Sequence, residues 1–366
     1  MSDAALGGLR PDLDTIVDRC GAAWDRLDGA RILVTGGTGY VGRWIAAAID
    51  HAHRRLGLDC RLTIVSRRPA SLRGACPFLA DSPAIDTVAA DVRTMPFPDG
   101  RISHVIHAAT PVERQASTPD AEMIGVCEEG TRRVMAVAAA AGSAAVLVAS
   151  SGAVYGTRPP DGAPIPESYV GGGEPSSAYA EGKRRSERIA ADAARSGLPT
   201  CIVRLFAQAG PHLPLEGQFA LGNFVRDAVA GRDIVVRGDG TPVRTYLYAT
   251  DLVEWLLTLL TRGCRTGDPG CFNVGSEEAI SIAAVAYLVA ETDRRVAGKT
   301  TAARVVIEGD AVPGAAATRY VPDCSRARDA FGLVARVPVA VSVARMLEWH
   351  RRGTVPQHEP EESRVP

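Results

Sequence analysis

With 366 residues, the chain is long enough to bury a large core, as one main body with a smaller companion. Its hydrophobic content of 46% and charged content of 23% are typical of globular proteins. The formal net charge of -1 argues against binding to nucleic acid or to a membrane surface. No apolar run reaches the roughly 18–20 residues that span a bilayer, and the first residues lack the apolar stretch of a signal peptide.

The eight cysteines form no Cys-x-x-Cys pair and have no spacing suited to zinc, so we expect no metal site. Most of them have apolar neighbours, which is typical of buried thiols in a reducing compartment. We therefore expect a cytoplasmic protein.

A helical extension over residues 1–28 is predicted before the first strand. Apolar side chains recur there at helical spacing, on one face that would pack on the main body. These side chains are Leu13, Ile16, Val17, Cys20, Trp24 and Leu27.

The stretch 31–42 predicts a strand, a tight turn and the start of a helix. A short apolar run ends at Thr35, and glycines follow at positions 36, 39 and 42. Such glycines allow the turn, the approach of backbone to a pyrophosphate, and close packing of the helix. The start of the helix also offers free N–H groups to phosphates. The predicted cofactor contacts in this turn are Gly36, Thr38, Gly39, Tyr40 and Val41.

The end of the second predicted strand bears on the choice of cofactor. An acid at this place binds the ribose hydroxyls of NAD, whereas an arginine accommodates the 2′-phosphate of NADP. Here Ser66 stands in place of the acid, and Arg67 and Arg68 follow. We therefore predict NADP or NAD with a preference for NADP, the alternative being a solvated basic loop.

The ends of the third and fourth strands supply further predicted contacts. Asp91 and Val92 are placed to meet adenine, and the small Ala108 and Ala109 would let the nicotinamide ribose lie against backbone. His107 lies within the fourth strand, where a histidine is more often a core residue than a catalytic one.

Strands alternate with helices up to residue 206, which predicts an α/β fold with a parallel, doubly wound Rossmann-type sheet. The pattern is then broken by Pro and Gly. We expect a dinucleotide-binding domain over 29–206, to which 243–274 returns. A smaller C-terminal substrate-binding lobe would comprise 207–242 and 275–356, and a disordered tail would follow at 357–366.

Three residues form the predicted catalytic group. Tyr179 and Lys183 lie four apart on one predicted helix and so share a face, and Ser151 ends a central strand. A tyrosine with a pKa near 10 is a poor base, but a neighbouring ammonium and a positive nicotinamide would lower that pKa. Tyr179 could then take a proton from a sugar hydroxyl while Ser151 holds the reacting oxygen.

These features together resemble the extended short-chain dehydrogenase/reductase family, in its nucleotide-sugar epimerase/dehydratase branch. The resemblance runs from about residue 30 to 350. The matching stretches are 35–42, 150–156, Tyr179 with Lys183, 204–206, 238–244 and 272–275.

The resemblance implies a bound nicotinamide cofactor, a nucleotide diphosphate sugar as substrate, and a homodimer formed through the helices at about 119–141 and 177–195. It makes Ser151, Tyr179 and Lys183 the catalytic trio, with Tyr179 and Lys183 also contacting the cofactor. The substrate contacts that it implies are Thr110, Ser151, Asn223, Arg244 and Arg319.

The chain departs from the family pattern at several positions. Ala207 stands where an asparagine is usual, and Val312 stands where an arginine is usual, for which Arg319 could substitute. The Asp-Glu pair with which the 4,6-dehydratases remove water is replaced by Gly152 and Ala153. The decarboxylases of the family usually carry a glutamate at the second of these positions.

The leading hypothesis is therefore an epimerase that transiently oxidises the sugar, at C4, and returns the hydride to the other face. Small residues at 152 and 153 would leave room for the sugar ring to turn. The runner-up is a reductase of 4-keto sugars that uses NADPH. A dehydratase remains an alternative if Asp161, Glu167 or Glu174 reaches in from the 158–176 loop. A non-catalytic dinucleotide sensor is a further alternative.

Overall fold

The computed structural model describes residues 3–98, 100–110, 118–157, 159, 162–171, 176–311 and 317–352. The tail at 357–366, for which we predicted disorder, lies outside the described residues. Val312, Asp161 and Glu174 also lie outside them.

A parallel sheet of seven strands forms the body, in the order β3-β2-β1-β4-β5-β6-β11. The α/β, Rossmann-type fold predicted from the sequence is confirmed. The strands are β1 Arg31–Thr35, β2 Arg61–Ser66, β3 Ile85–Ala89, β4 His104–His107, β5 Ala145–Ser151, β6 Thr200–Leu205, β7 Gln208–Ala209, β8 Ile234–Val236, β9 Val243–Arg244, β10 Leu247–Tyr248, β11 Gly270–Val274, β12 Ile280–Ser281 and β13 Val305–Ile307.

Helices cover both faces of this sheet. None of those described is long and apolar enough to cross a membrane. The helices are α1 Arg10–Arg19, α2 Gly21–Leu27, α3 Tyr40–Leu56, α4 Ala70–Ala75, α5 Asp120–Ala140, α6 Ala178–Arg195, α7 Ala220–Val229, α8 Ala249–Arg262, α9 Ile282–Val296, α10 Ser325–Phe331 and α11 Val339–Arg351.

The order of the strands reverses at β1, which pairs with β2 on one side and with β4 on the other. In open parallel sheets, a ligand binds outside the carboxyl ends of the strands at such a switch point. Thr35, the last residue of β1, is level with Val65 of β2 and His107 of β4. The residues that follow these three strands therefore share one edge of the sheet.

One apolar layer covers each face of the sheet. One lies under α3 and α8 and includes Trp44 and Trp255, which are each at most 1% exposed. The other lies under α5 and α6, where Val105 and Val146 of the sheet meet Val134 of α5. The sheet is buried on both faces, which explains why its strands are almost continuous apolar runs.

The smaller lobe is built from short strands and α7, α9 and α11. β8 pairs with β13, and β9 pairs with β12. β11 instead pairs in parallel with β6, with Phe272 level with Val203. The chain therefore returns to the large sheet at Gly270–Val274 before it enters the rest of the lobe.

The N-terminal extension contains two helices, α1 and α2. The helix breaks at Cys20, whose carbonyl accepts hydrogen bonds from the N–H groups of Ala23 and Trp24. The buried Asp12 carboxylate accepts hydrogen bonds from Tyr248 Oη at 2.6 Å and Arg345 Nη1 at 2.8 Å. Arg19 donates to Asp251 of α8 at 2.8 Å. Polar contacts thus join the extension to distant parts of the chain.

Candidate active site

A cleft of about 1090 Å³ lies over the carboxyl edge of the sheet and extends to the smaller lobe. It is lined by every site residue predicted from the sequence except Asn223 and Arg319. The predicted residues that line it are Gly36, Thr38, Gly39, Tyr40, Val41, Ser66, Arg67, Asp91, Val92, Ala108, Ala109, Thr110, Ser151, Tyr179, Lys183 and Arg244.

The glycine turn is pressed against the end of β4. Gly36 has a φ of 73°, which L residues with side chains rarely adopt. A Cβ at Gly36 would lie 2.7 Å from the carbonyl carbon and oxygen of Ala108 and from the nitrogen of Ala109. Only a glycine fits there. Thr38 Oγ1 lies 3.0 Å from Ser66 Oγ, so the turn also contacts the end of β2.

The ends of β2 and β3 form the part of the cleft where we predicted the adenosine. Arg67 and Arg68 line it, with Ser66 between the turn and these arginines. Asp91 accepts two hydrogen bonds from the Arg93 guanidinium, each at 2.9 Å. This contact with Arg93 holds the pKa of the Asp91 carboxyl below its usual range. Asp91 is therefore ionised and already paired.

His107 lies in the core. Its Nδ1 lies 2.7 Å from Thr35 Oγ1, and its Nε2 lies 3.0 Å from Thr131 Oγ1. Burial, with a smaller effect of the Lys183 charge, lowers the pKa of His107 to about 3. A neutral histidine with both nitrogens partnered matches the structural interpretation of this residue.

The three predicted catalytic residues meet at one end of the cleft. Ser151 is the last residue of β5. Ser177 caps the N-terminus of α6 by accepting a hydrogen bond from Ala180 N, and Tyr179 and Lys183 follow on one face of that helix. Lys183 is 5% exposed and donates from Nζ to Thr110 Oγ1 at 2.8 Å and to Ala149 O at 2.6 Å. Its Nζ lies 5.9 Å from the centre of the Tyr179 ring.

The electrostatics of Tyr179 differ from the sequence-based prediction. Burial raises the pKa of the Tyr179 phenol above its usual value; the hydrogen bond with Ser151 opposes this, and nearby Tyr320 adds to it. Burial also lowers the pKa of Lys183. The protein residues alone therefore keep Tyr179 protonated, because desolvation outweighs the favourable contacts.

Gly152 is small for a reason that the sequence did not reveal. A Cβ at this position would lie 2.4 Å from Tyr320 Oη and 2.9 Å from Phe206 Cζ. The Tyr320 and Phe206 rings are in contact, with their centres 4.5 Å apart. The space beside Gly152 is thus filled by a tyrosine. Our interpretation that a small residue at 152 leaves room for a turning sugar ring was wrong.

Two of the predicted substrate contacts lie outside the cleft. Asn223, on α7, donates from its amide to Gly217 O at 3.0 Å. Arg319 packs against Gly162: a Cβ added at Gly162 would lie 2.9 Å from Cδ of Arg319. Arg244 does line the cleft, and its guanidinium carbon is 5.8 Å from the centre of the Tyr320 ring.

Among the lining residues that sequence reasoning missed are Arg43, Gln208 and Tyr320. Gln208 donates from Nε2 to Phe206 O, while its buried Oε1 has no protein partner. The sequence contained a signal for two of these residues, Arg43 and Gln208. Arg43 directly follows the third glycine of the turn, and Gln208 follows Ala207, where the family's asparagine is missing.

Carboxylates are scarce in this cleft. Among its described lining residues, Asp91 is the one acid, and it lies with the arginines near β2 and β3. Glu167, one of the acids considered for the 158–176 loop, accepts a hydrogen bond from Asn273 N at 2.8 Å and does not line the cleft. In the part of the chain that the structure describes, no group of His, Cys, Asp and Glu is arranged to hold a metal ion.

Replacing Tyr179 by Phe should abolish turnover and leave cofactor affinity unchanged, because only the phenolic hydroxyl is removed. Loss of a general acid or base typically lowers the rate by about 100-fold or more. Steady-state kinetics and a cofactor titration measure the two effects. Tyr169→Phe is the matched control, since Tyr169 does not line the cleft. Retention of more than about a tenth of the activity in Tyr179→Phe would contradict the assignment.

Gly152→Ala should destabilise the protein by about 1–3 kcal/mol, the usual cost of forcing atoms into a filled space. The same substitution should cost less in a Tyr320→Leu background, because the phenol that meets the new methyl is absent. Urea unfolding of the four proteins of this double-mutant cycle measures the coupling. Equal costs in both backgrounds would show that Tyr320 does not fill the space.

Comparisons with known proteins give the family. The model of the NAD dependent epimerase/dehydratase family matches residues 32–275. UDP-glucuronic acid decarboxylase 1 of Arabidopsis thaliana is 28% identical over 266 residues, 71% of this chain but only 58% of that relative's length. Among solved structures, MoeE5 with UDP-glucuronic acid and NAD has a TM-score of 0.70 at 25% identity, over 88% of this chain and all of that one. The UDP-glucuronic acid 4-epimerase of Bacillus cereus has a TM-score of 0.72 at 18% identity, over 88% and 99%. The chain is therefore an enzyme of the NAD-dependent epimerase/dehydratase family.

Proposed function

We propose that this enzyme epimerises a nucleotide diphosphate sugar, a hexose or a uronate, by transient oxidation at C4. The observation that carries the proposal is the composition of the reacting end of the cleft. It brings together Ser151, Tyr179 and Lys183, and no carboxylate lines it in the part of the chain described. Such a site can move the proton of a hydroxyl but has no acidic side chain to remove a proton from carbon.

Each residue of the trio has a separate task in this proposal. Hydride transfer from and back to the sugar would be supplied by a nicotinamide held in the cleft beside Tyr179 and Lys183. Tyr179 takes the proton of the C4 hydroxyl and gives it back. Ser151 donates a hydrogen bond to the same oxygen, and buried Lys183 favours the phenolate through its charge.

The described residues do not make Tyr179 a base, because burial raises the pKa of its phenol. Activation of Tyr179 therefore needs a further positive charge. An oxidised nicotinamide beside the phenol would add that charge. Tyr179 would then be a poor base in the cofactor-free protein and a competent one in the complex.

The alternatives differ in which extra group they need. A dehydratase needs an acid and a base for C5 and C6, where this chain has Gly152, Ala153 and the phenol of Tyr320. Among the relatives, the decarboxylases support a uronate substrate. The family's decarboxylases usually carry a glutamate at the position where this chain has Ala153. A 4-keto-sugar reductase needs no further residue and is the second candidate, which Arg67 supports.

We also propose that the cofactor is NADP rather than NAD. Arg67 and Arg68 line the cleft beyond β2, and no carboxylate among the described residues forms an ion pair with either. They are thus available to a phosphate on the adenosine ribose.

We propose a cytoplasmic homodimer, with α5 and α6 as the interface that the family resemblance implies. These two helices already pack tightly together, since a Cβ at Gly182 would lie 2.8 Å from Cys127 Cβ. The mass in solution, measured by light scattering, checks the dimer.

Incubation with a panel of UDP-, CDP-, GDP- and dTDP-hexoses and uronates tests the reaction. An epimerase gives a product of unchanged mass, and in deuterium oxide it leaves carbon-bound hydrogens unexchanged, because the hydride never visits solvent. Mass spectrometry and NMR read both results, with Tyr179→Phe as the inactive control.

Other products would contradict the epimerase. A loss of water would point to a dehydratase, and a loss of carbon dioxide from a uronate would point to a decarboxylase. A gain of two hydrogens by a keto sugar, only with NADPH, would favour the reductase.

Arg67→Ala should weaken NADP binding by about 1.5–3 kcal/mol, the value of a charged hydrogen bond, and change NAD binding little. Calorimetric titration of both cofactors measures this. Arg195→Ala, at the exposed end of α6, is the matched control. Equal losses for both cofactors, or none, would refute the preference for NADP.

A further inference from the structure

A third arginine lines the same cleft as Arg67 and Arg68. Arg43 lies in the first turn of α3, directly after the last glycine of the turn. It lines the cleft together with Ser66, Arg67 and Ser71. The contact of 3.0 Å between Thr38 and Ser66 joins the glycine turn that precedes α3 to the end of β2. Arg43 and Arg67 therefore follow two segments that are in contact.

The side chain of Arg43 is incompletely satisfied by the protein. Its Nε is buried and has no hydrogen-bond partner. Eight buried side-chain atoms in the described residues lack a partner, and only those of Arg43 and Gln208 belong to residues that line the cleft. An unpaired buried donor costs about 1–3 kcal/mol, and more when charged, so a partner for the Nε of Arg43 would be stabilising.

The charge of Arg43 is also not neutralised nearby. No described carboxylate lies within ion-pair distance of it, and Asp91, the acid of the cleft, is bound by Arg93. The residues that feel its charge are His212 and Cys76, whose pKa values are moved mainly by burial towards their neutral forms. Arg43 therefore has a buried donor and a positive charge that no described residue pairs with.

We propose that Arg43 and Arg67 together hold the 2′-phosphate of the cofactor, Arg43 from α3 and Arg67 from the loop that follows β2. This inference rests on the proposed preference for NADP and adds a residue that determines it. The pyrophosphate is the competing anion, and it is common to NAD and NADP. The two cases differ in whether Arg43 discriminates between the cofactors.

Calorimetric titration of the full chain with NADP, NAD and 2′,5′-ADP separates these cases, because 2′,5′-ADP carries the 2′-phosphate without a pyrophosphate. Arg43→Ala should weaken NADP and 2′,5′-ADP by roughly 10- to 100-fold and NAD by less than about 3-fold. Arg195→Ala should change none of the three.

Thermal unfolding provides the second readout. Arg43→Ala should melt at or above the wild-type temperature without cofactor, since it removes a buried donor that has no partner, and it should gain less from NADP. Equal weakening of NADP and NAD would assign Arg43 to the pyrophosphate and overturn the proposal, as would no effect on either.

The outcome for the wild type separates this inference from the proposed cofactor preference. A wild type that binds NAD more tightly than NADP would refute the preference. The assignment of Arg43 as a 2′-phosphate ligand would still be supported if Arg43→Ala lowered the ratio of NADP affinity to NAD affinity. An unchanged ratio would refute that assignment.

Discussion

The site depends on the close approach between the glycine turn after β1 and the end of β4. At Gly36 a side chain has no space, because the backbone of Ala108 and Ala109 lies where its Cβ would be. This contact holds the ends of β1 and β4 at one level and opens the cleft at the reversal of strand order. β5, the next strand, then carries Ser151 to the same edge.

Much of the fold could be predicted because its signals are local. The apolar run and glycines at 31–42 gave β1, the turn and α3, and the four-residue spacing of Tyr179 and Lys183 placed both side chains on one face of α6. The break at Cys20 could not be predicted from periodicity, since the apolar face continues across it.

The remaining parts of the site depend on contacts between residues far apart in the sequence. The sequence shows that Gly152 stands where the dehydratases have an acid. Only the fold shows that Tyr320, from another part of the chain, fills the space beside Gly152. Asn223 matched a motif, yet the turn of α7 directs its amide to Gly217. Arg43 was overlooked because the burial of its Nε exists only once α3 is packed.

Charge and burial act in opposite directions across the cleft. At the end near β2, Arg67 and Arg68 line the cleft and form no ion pair with the carboxylates that the structure describes. At the reacting end, burial favours the neutral forms of both Tyr179 and Lys183. The cleft thus has an arginine-rich end and a reacting end at which burial disfavours charge on both Tyr179 and Lys183.

The polar contacts of α1 bear on how the chain folds. Asp12 bonds to residues 236 and 333 positions further on, and Arg19 bonds to a residue 232 positions further on. Contacts of such long sequence separation form late, because the loop that they close must be ordered first. During synthesis, α1 emerges well before the residues that it bonds to, so these bonds are complete only once α11 has followed. α3, which α1 also contacts, follows much sooner, so α1 can pack there before its long-range bonds form.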